Sequence, residues 1–165
     1  ALPHALANDA AFSEGDTLVT GAAADAHGYL SELERTMFVG RPSSDQKRFF
    51  GHMLELQDIS FEAIRPGATG ADVDRSVRAY YEREGLWPYW RHHVGHGLGQ
   101  RIHESPFLDV GDESPLEPGM VLSVEPGLYV PGLGGFRHSD TVLVTETGCE
   151  LITDYPRGIP DLIVG

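Results

Sequence analysis

The stretch His92-His93-Val94-Gly95-His96-Gly97-Leu98-Gly99, followed by His103-Glu104-Ser105-Pro106, decides how the rest of the chain is read. Four of the eight histidines fall within it. Glycines around His96 let backbone approach closely and leave the ring bare. Imidazoles gathered this way suit metal ligation, proton transfer or anion contact, whereas a single one would read as a polar, hydrogen-bonded loop. Downstream, Pro118-Gly119-Met120-Val121-Leu122-Ser123-Val124-Glu125-Pro126-Gly127 reads as an apolar strand that delivers one carboxylate and is closed by Pro126. Glu125 either faces water at the strand end or meets a metal, a cation or a substrate, because a buried lone carboxylate costs free energy.

Working outward, Thr17-Leu18-Val19-Thr20 and Tyr29 to Val39 read as two strands, joined by the turn residues Asp25-Ala26-His27-Gly28. Ser43-Ser44-Asp45 offers an N-cap, after which Phe49, Met53, Leu56, Ser60 and Ala63 recur at helical spacing until Pro66-Gly67. Thr69-Gly70-Ala71-Asp72 forms a capping box with Asp in the Glu place, and Val73, Val77, Tyr80 and Tyr81 make the apolar face of a second helix ending at Gly85. Met120–Val130 and Phe136–Thr145 read as two strands around a turn at Gly132 to Gly135. The order predicts an α+β domain with helices packed on one side of an antiparallel sheet.

Composition narrows the function. The chain has 165 residues, 41% of them hydrophobic, enough for one domain with a core. Twenty-five acidic residues face twelve basic ones, a formal net charge of -13, and Lys47 is the only lysine. Nucleic acid and anionic membrane are therefore poor partners. The acids are spread along the chain, which reads as a salt-adapted, halophile-like surface rather than one cation-attracting site. Cys149 stands alone, so no internal disulfide forms, and no stretch reads as a signal peptide or membrane span. A reducing cytoplasm fits, and a homodimer is compatible with the pattern.

These motifs resemble the pita-bread superfamily of proline peptidases, methionine aminopeptidases and creatinase. The resemblance extends to Leu2-Pro3-His4-Ala5, to Gly15-Asp16-Thr17-Leu18-Val19 with Gly28-Tyr29-Leu30-Ser31-Glu32-Leu33-Glu34-Arg35-Thr36, and to Gly135-Phe136-Arg137-His138-Ser139-Asp140-Thr141. It implies that residues 1–165 form the C-terminal part of a pita-bread catalytic domain, without its first helices or any N-terminal domain. It also implies a two-metal site, which here is degenerate: of the five family ligands, Gly21 and Ser139 replace two carboxylates, Glu32 is a longer carboxylate, and His96 and Glu125 are retained. The expectation is thus no metal or a single divalent ion, manganese, cobalt or zinc, on Glu32, His96 and Glu125.

His4, His92 and His103 match family histidines that contact substrate and move protons, and Arg137 matches an arginine near the last ligand. With His96, two of these, His4 and His103, are expected to bind substrate. Glu34 matches creatinase, the metal-free member, in which it would act with His4 and Glu125; its bland alternative is a strand residue paired with Arg35 or Arg137. Where creatinase places a carboxylate-binding arginine, this chain has Ser105-Pro106-Phe107-Leu108. Three readings follow: an Xaa-Pro peptidase-like hydrolase of amide or peptide C–N bonds, a metal-independent hydrolase of a small cationic amide or amidine, or a binding homologue without catalysis. The partner is a small molecule or short peptide in each.

Overall fold

A computed structural model describes residues 1–6 and 9–165. Strands β1 (Thr17–Ala26) and β2 (Tyr29–Val39) form a long antiparallel hairpin, in register from Thr17 opposite Phe38 to Ala26 opposite Tyr29. β1 runs six residues beyond the expected Thr20, because pairing with β2 carries the alanines that propensity alone would leave out. Its two-residue turn, His27 and Gly28, has positive φ at both positions, and Asp25 accepts the Gly28 N–H at 2.8 Å.

Both helices form where their local signals lie. Helix α1 (Ser44–Ala63) starts at a capping box of Ser43 and Gln46, and α2 (Gly70–Arg83) at one of Thr69 and Asp72. Gly85 adopts φ +66 just past α2, the left-handed stop that the sequence predicts. Phe49, Met53 and Leu56 of α1 pack with Leu122, Val124, Leu128, Phe136 and Val142 of the sheets, and Val73, Val77 and Tyr81 of α2 join the same core.

The strand-rich half differs from the expectation. Met120–Val130 is two strands, β5 (Val121–Val124) and β6 (Gly127–Val130), and Phe136–Thr145 is likewise β7 (Gly134–Arg137) and β8 (Asp140–Val144). Pro126 has no N–H to continue a ladder, so the first run breaks at Glu125-Pro126, and its partner breaks opposite at His138-Ser139. β6 and β7 pair alone. β5 and β8 belong to a five-stranded sheet with β3 (Gly95–Gly97), β4 (Glu104–Leu108) and β9 (Cys149–Leu151). β3 was not foreseen: a Gly-His-Gly run has little strand propensity, and it pairs because a Cβ at Gly95 would sit 2.0 Å from the Ser123 carbonyl. A short β10 (Ile163–Val164) adds in parallel to β2. No helix of the described residues is long and apolar enough to cross a membrane.

β2 closes over the double break. Glu34 and Ser139 exchange backbone hydrogen bonds of 2.9 and 3.1 Å, and threonine hydroxyls continue the seam on either side. Thr36 Oγ1 accepts from Arg137 N–H at 2.8 Å, and Thr141 Oγ1 accepts from Glu32 N–H at 2.9 Å.

His138, in that break, faces the core. Its ring meets Phe50 edge-on at 5.2 Å, and neither ring nitrogen has a hydrogen-bond partner among the described residues. Burial, aided by Arg35 and Arg157, pulls its pKa from 6.5 to about 3. A folded pKa below the unfolded one makes stability fully present above the unfolded value and lost as pH falls from 6.5 toward 3. At pH 5 the loss should be about 2 kcal/mol. Urea unfolding of His138→Leu at pH 7 and pH 5 should show a shallower acid loss than the parent chain; parallel losses would contradict it.

Candidate functional site

Alternation along β2 puts Glu32, Glu34 and Thr36 on one face. Glu32, with His96 from β3 and Glu125 from the end of β5, forms a cluster whose ligand atoms all lie within 4.8 Å of one another. His96 Nδ1 lies 3.1 Å from the Gly97 carbonyl, which assigns the ring proton to Nδ1. The Nε2 lone pair then lies 3.4 Å from Glu125 Oε1 and 3.9 Å from Glu32 Oε2. Nε2 is buried and has no hydrogen-bond partner among the described residues. A lone pair against two anions is unfavourable until a proton or a metal ion lies between them. Burial draws the His96 pKa down, but the two carboxylates outweigh it and raise it.

Glu32 is held by two hydroxyls. Ser123 Oγ donates at 3.0 Å and Ser139 Oγ at 2.6 Å, and the hydroxyls lie 2.9 Å apart. Ser139, where the resemblance implies a ligand, thus orients Glu32. Gly21 lies directly opposite Glu34, and a Cβ there would come within 2.6 Å of Glu34 Cγ. The missing side chain is the room in which Glu34 lies. Glu34 in turn grips Arg137 with both oxygens, one of them 2.6 Å from Nη2. Burial pushes the Glu34 pKa up against the pull of Arg137. Arg137 Nε also lies 3.7 Å from Glu125, whose pKa burial raises but His96 and Arg137 bring below the usual value.

Tyr129, which the sequence reading passed over, joins two predicted residues. Arg137 Nη1 donates to its hydroxyl at 3.1 Å, and the hydroxyl lies 2.7 Å from His92 Nε2. His92 Nδ1 lies 2.8 Å from the His93 carbonyl, so it carries the proton and Nε2 accepts from Tyr129. Burial lowers the His92 pKa, consistent with a neutral ring. Both ring nitrogens of His92 are therefore engaged, one by the His93 carbonyl and one by Tyr129.

His103 is exposed, with its ring 4.2 Å from that of His96. His4 is exposed and makes no side-chain hydrogen bond among the described residues; the nearby Pro3 carbonyl accepts from Arg137 at 3.3 Å. The structure does not join His4 to Glu34, whose carboxylate is taken by Arg137. Asp25, His138 and Asp140 lie outside the cluster: at the hairpin tip, against Phe50, and paired with Arg35.

A histidine and two carboxylates converge where one strand crosses a doubly broken hairpin, so the α+β domain carries a seam whose side chains could hold a metal ion. The chain belongs to metallopeptidase family M24, whose model matches residues 1–146. It is 40% identical over 157 residues to the Xaa-Pro dipeptidase of Pyrococcus furiosus, covering 95% of this chain and 45% of that protein. It is 40% identical over 156 residues to the uncharacterized peptidase YqhT of Bacillus subtilis, covering 94% and 44%. The solved Xaa-Pro dipeptidase from Bacillus anthracis superposes with a TM-score of 0.93 at 39% identity, over 99% of this chain and 45% of that one. The pita-bread fold implied by the resemblance is therefore the fold found. The chain spans less than half the length of the curated relatives it matches.

Replacing Tyr129 by Phe leaves His92 Nε2 and an Arg137 N–H unpaired, which should destabilise the chain by roughly 1–3 kcal/mol in urea unfolding. In the parent chain, ring nitrogen NMR should report His92 as the neutral Nδ1–H form at pH 7; a protonated or Nε2–H ring would contradict the assignment.

Proposed function

We propose that the protein hydrolyses C–N bonds of short peptides in the manner of an Xaa-Pro peptidase, with one divalent ion on Glu32, His96 and Glu125. The observation that carries this is the buried, unpartnered Nε2 of His96 between two carboxylates. Charge supports it: Glu32 and Glu125 face His96, and with that ring neutral a divalent cation would offset the carboxylates that the Arg137 guanidinium, shared with Glu34, leaves uncompensated. One imidazole and two carboxylates suit zinc, cobalt or manganese. Bound there, the ion would supply an activated water and polarise the scissile carbonyl.

The chain's own residues do the rest. Ser123 and Ser139 hold Glu32 in one orientation, and Arg137 steadies Glu125. His103, exposed beside His96, is placed to donate a hydrogen bond to the developing oxyanion or a proton to the leaving nitrogen. A second ion finds no donor at Gly21, the Ser139 hydroxyl is spent on Glu32, and the Arg137 guanidinium puts fixed positive charge beside Glu125.

Calorimetric titration of the chelator-stripped protein with manganese, cobalt and zinc tests this. About one ion per chain should bind, His96→Ala should abolish binding, and Glu125→Gln should weaken it by at least about tenfold. Hydrolysis of Xaa-Pro dipeptides should appear only with the ion. No binding, or two ions per chain, would reject the single-metal site; undiminished hydrolysis in chelator would leave the metal-independent reading.

A further inference from the structure

Beside the cluster lies a cavity of about 320 Å³ lined by His93, Phe107, Asp109, Gly111 and Asp112. It adjoins the site through His93, whose ring stands edge-on to His96 at 6.2 Å and meets Phe107 at 5.9 Å. The lining carries two carboxylates and no Lys or Arg. Asp112 accepts the Phe107 and Ser114 N–H groups at 2.7 and 2.9 Å, bonds that favour its charged form.

Phe107, on the rim, is 37% exposed and offers ring surface to a ligand. Carboxylates beside open aromatic surface attract an organic cation by charge and by the ring quadrupole together. The formal net charge of -13 adds attraction at longer range.

We infer that this cavity is a substrate subsite for an organic cation, a guanidinium or alkylammonium group, next to the bond held at Glu32, His96 and Glu125. Its part in turnover rests on the hydrolase reading above; the binding does not. The group recognised is a Lys or Arg side chain or a free α-ammonium, and the test separates the two.

Argininamide, leucinamide and N-acetyl-leucinamide are titrated into the protein by calorimetry, with and without manganese. A side-chain subsite should bind argininamide about tenfold tighter than leucinamide, and Asp109→Asn should remove most of that difference while its side-chain oxygen still accepts from Gly111. Phe107→Leu should reduce it about threefold. An α-ammonium subsite should bind both amides alike, lose N-acetyl-leucinamide, and weaken for both in Asp109→Asn. Equal binding of all three, or affinities unmoved by Asp109→Asn, would overturn the inference. Binding intact without hydrolysis of any Xaa-Pro dipeptide would instead fault the hydrolase reading alone. Hydrolysis that neither prefers a cationic side chain nor needs a free α-ammonium would fault the subsite alone.

Discussion

Arg35 is a fully buried cation, and the seam on which the site is built depends on it. Its guanidinium donates to both oxygens of Asp140, at 2.8 and 3.2 Å, and to the carbonyls of Glu34, Ser139, Tyr155 and Pro156. Asp140 also accepts from Gln57 of α1 at 2.9 Å and Thr153 at 2.6 Å. One buried pair therefore ties β2, the break before β8, the first helix and the C-terminal segment together. Removing either member of such a pair strands the other charge, at a cost of about 3–5 kcal/mol. With its remaining hydrogen-bond capacity met by backbone, it is the arrangement in which a buried ion pair holds a structure in one form.

The backbone that Arg35 grips is the backbone that carries the candidate site. The carbonyls of Glu34 and Ser139 converge on its Nη1, which fixes where Glu32, Glu34 and Ser139 stand relative to Glu125. Thr36 and Thr141 close the same seam with hydroxyls where the ladder has no backbone partner to offer. A ligand set supported in this way is oriented before any ligand arrives, the condition for holding a metal or a reacting group without reorganisation.

Much of this was legible residue by residue. The helices carry their own caps and spacing, so both were found with their start residues. The histidine run and Glu125 pointed to the site because glycine around His96 and proline after Glu125 are local marks. The rest is written over long separations. Glu34 meets its partner Arg137 103 residues away, and no local pattern says which arginine it will choose. Gly21 read as a lost ligand, and only pairing across the hairpin shows it as the space for Glu34. Pro126 marks one break in the sheet, but the break at His138-Ser139 has no mark of its own and follows from the first. Tyr129 was passed over because a tyrosine in an apolar strand reads as core until its hydroxyl is seen between His92 and Arg137.

The double break also separates what holds the sheet from what lines the candidate site. At Ser139 the crossing is held by the peptide group, which bonds to Glu34 in both directions, while the hydroxyl serves Glu32. The side chain at this position therefore acts on the candidate site and the peptide group acts on the sheet. A fold of this kind lets individual ligands be gained or lost by single substitutions while the molecule keeps its shape, so a lineage can drift from one chemistry toward another without passing through an unfolded ancestor.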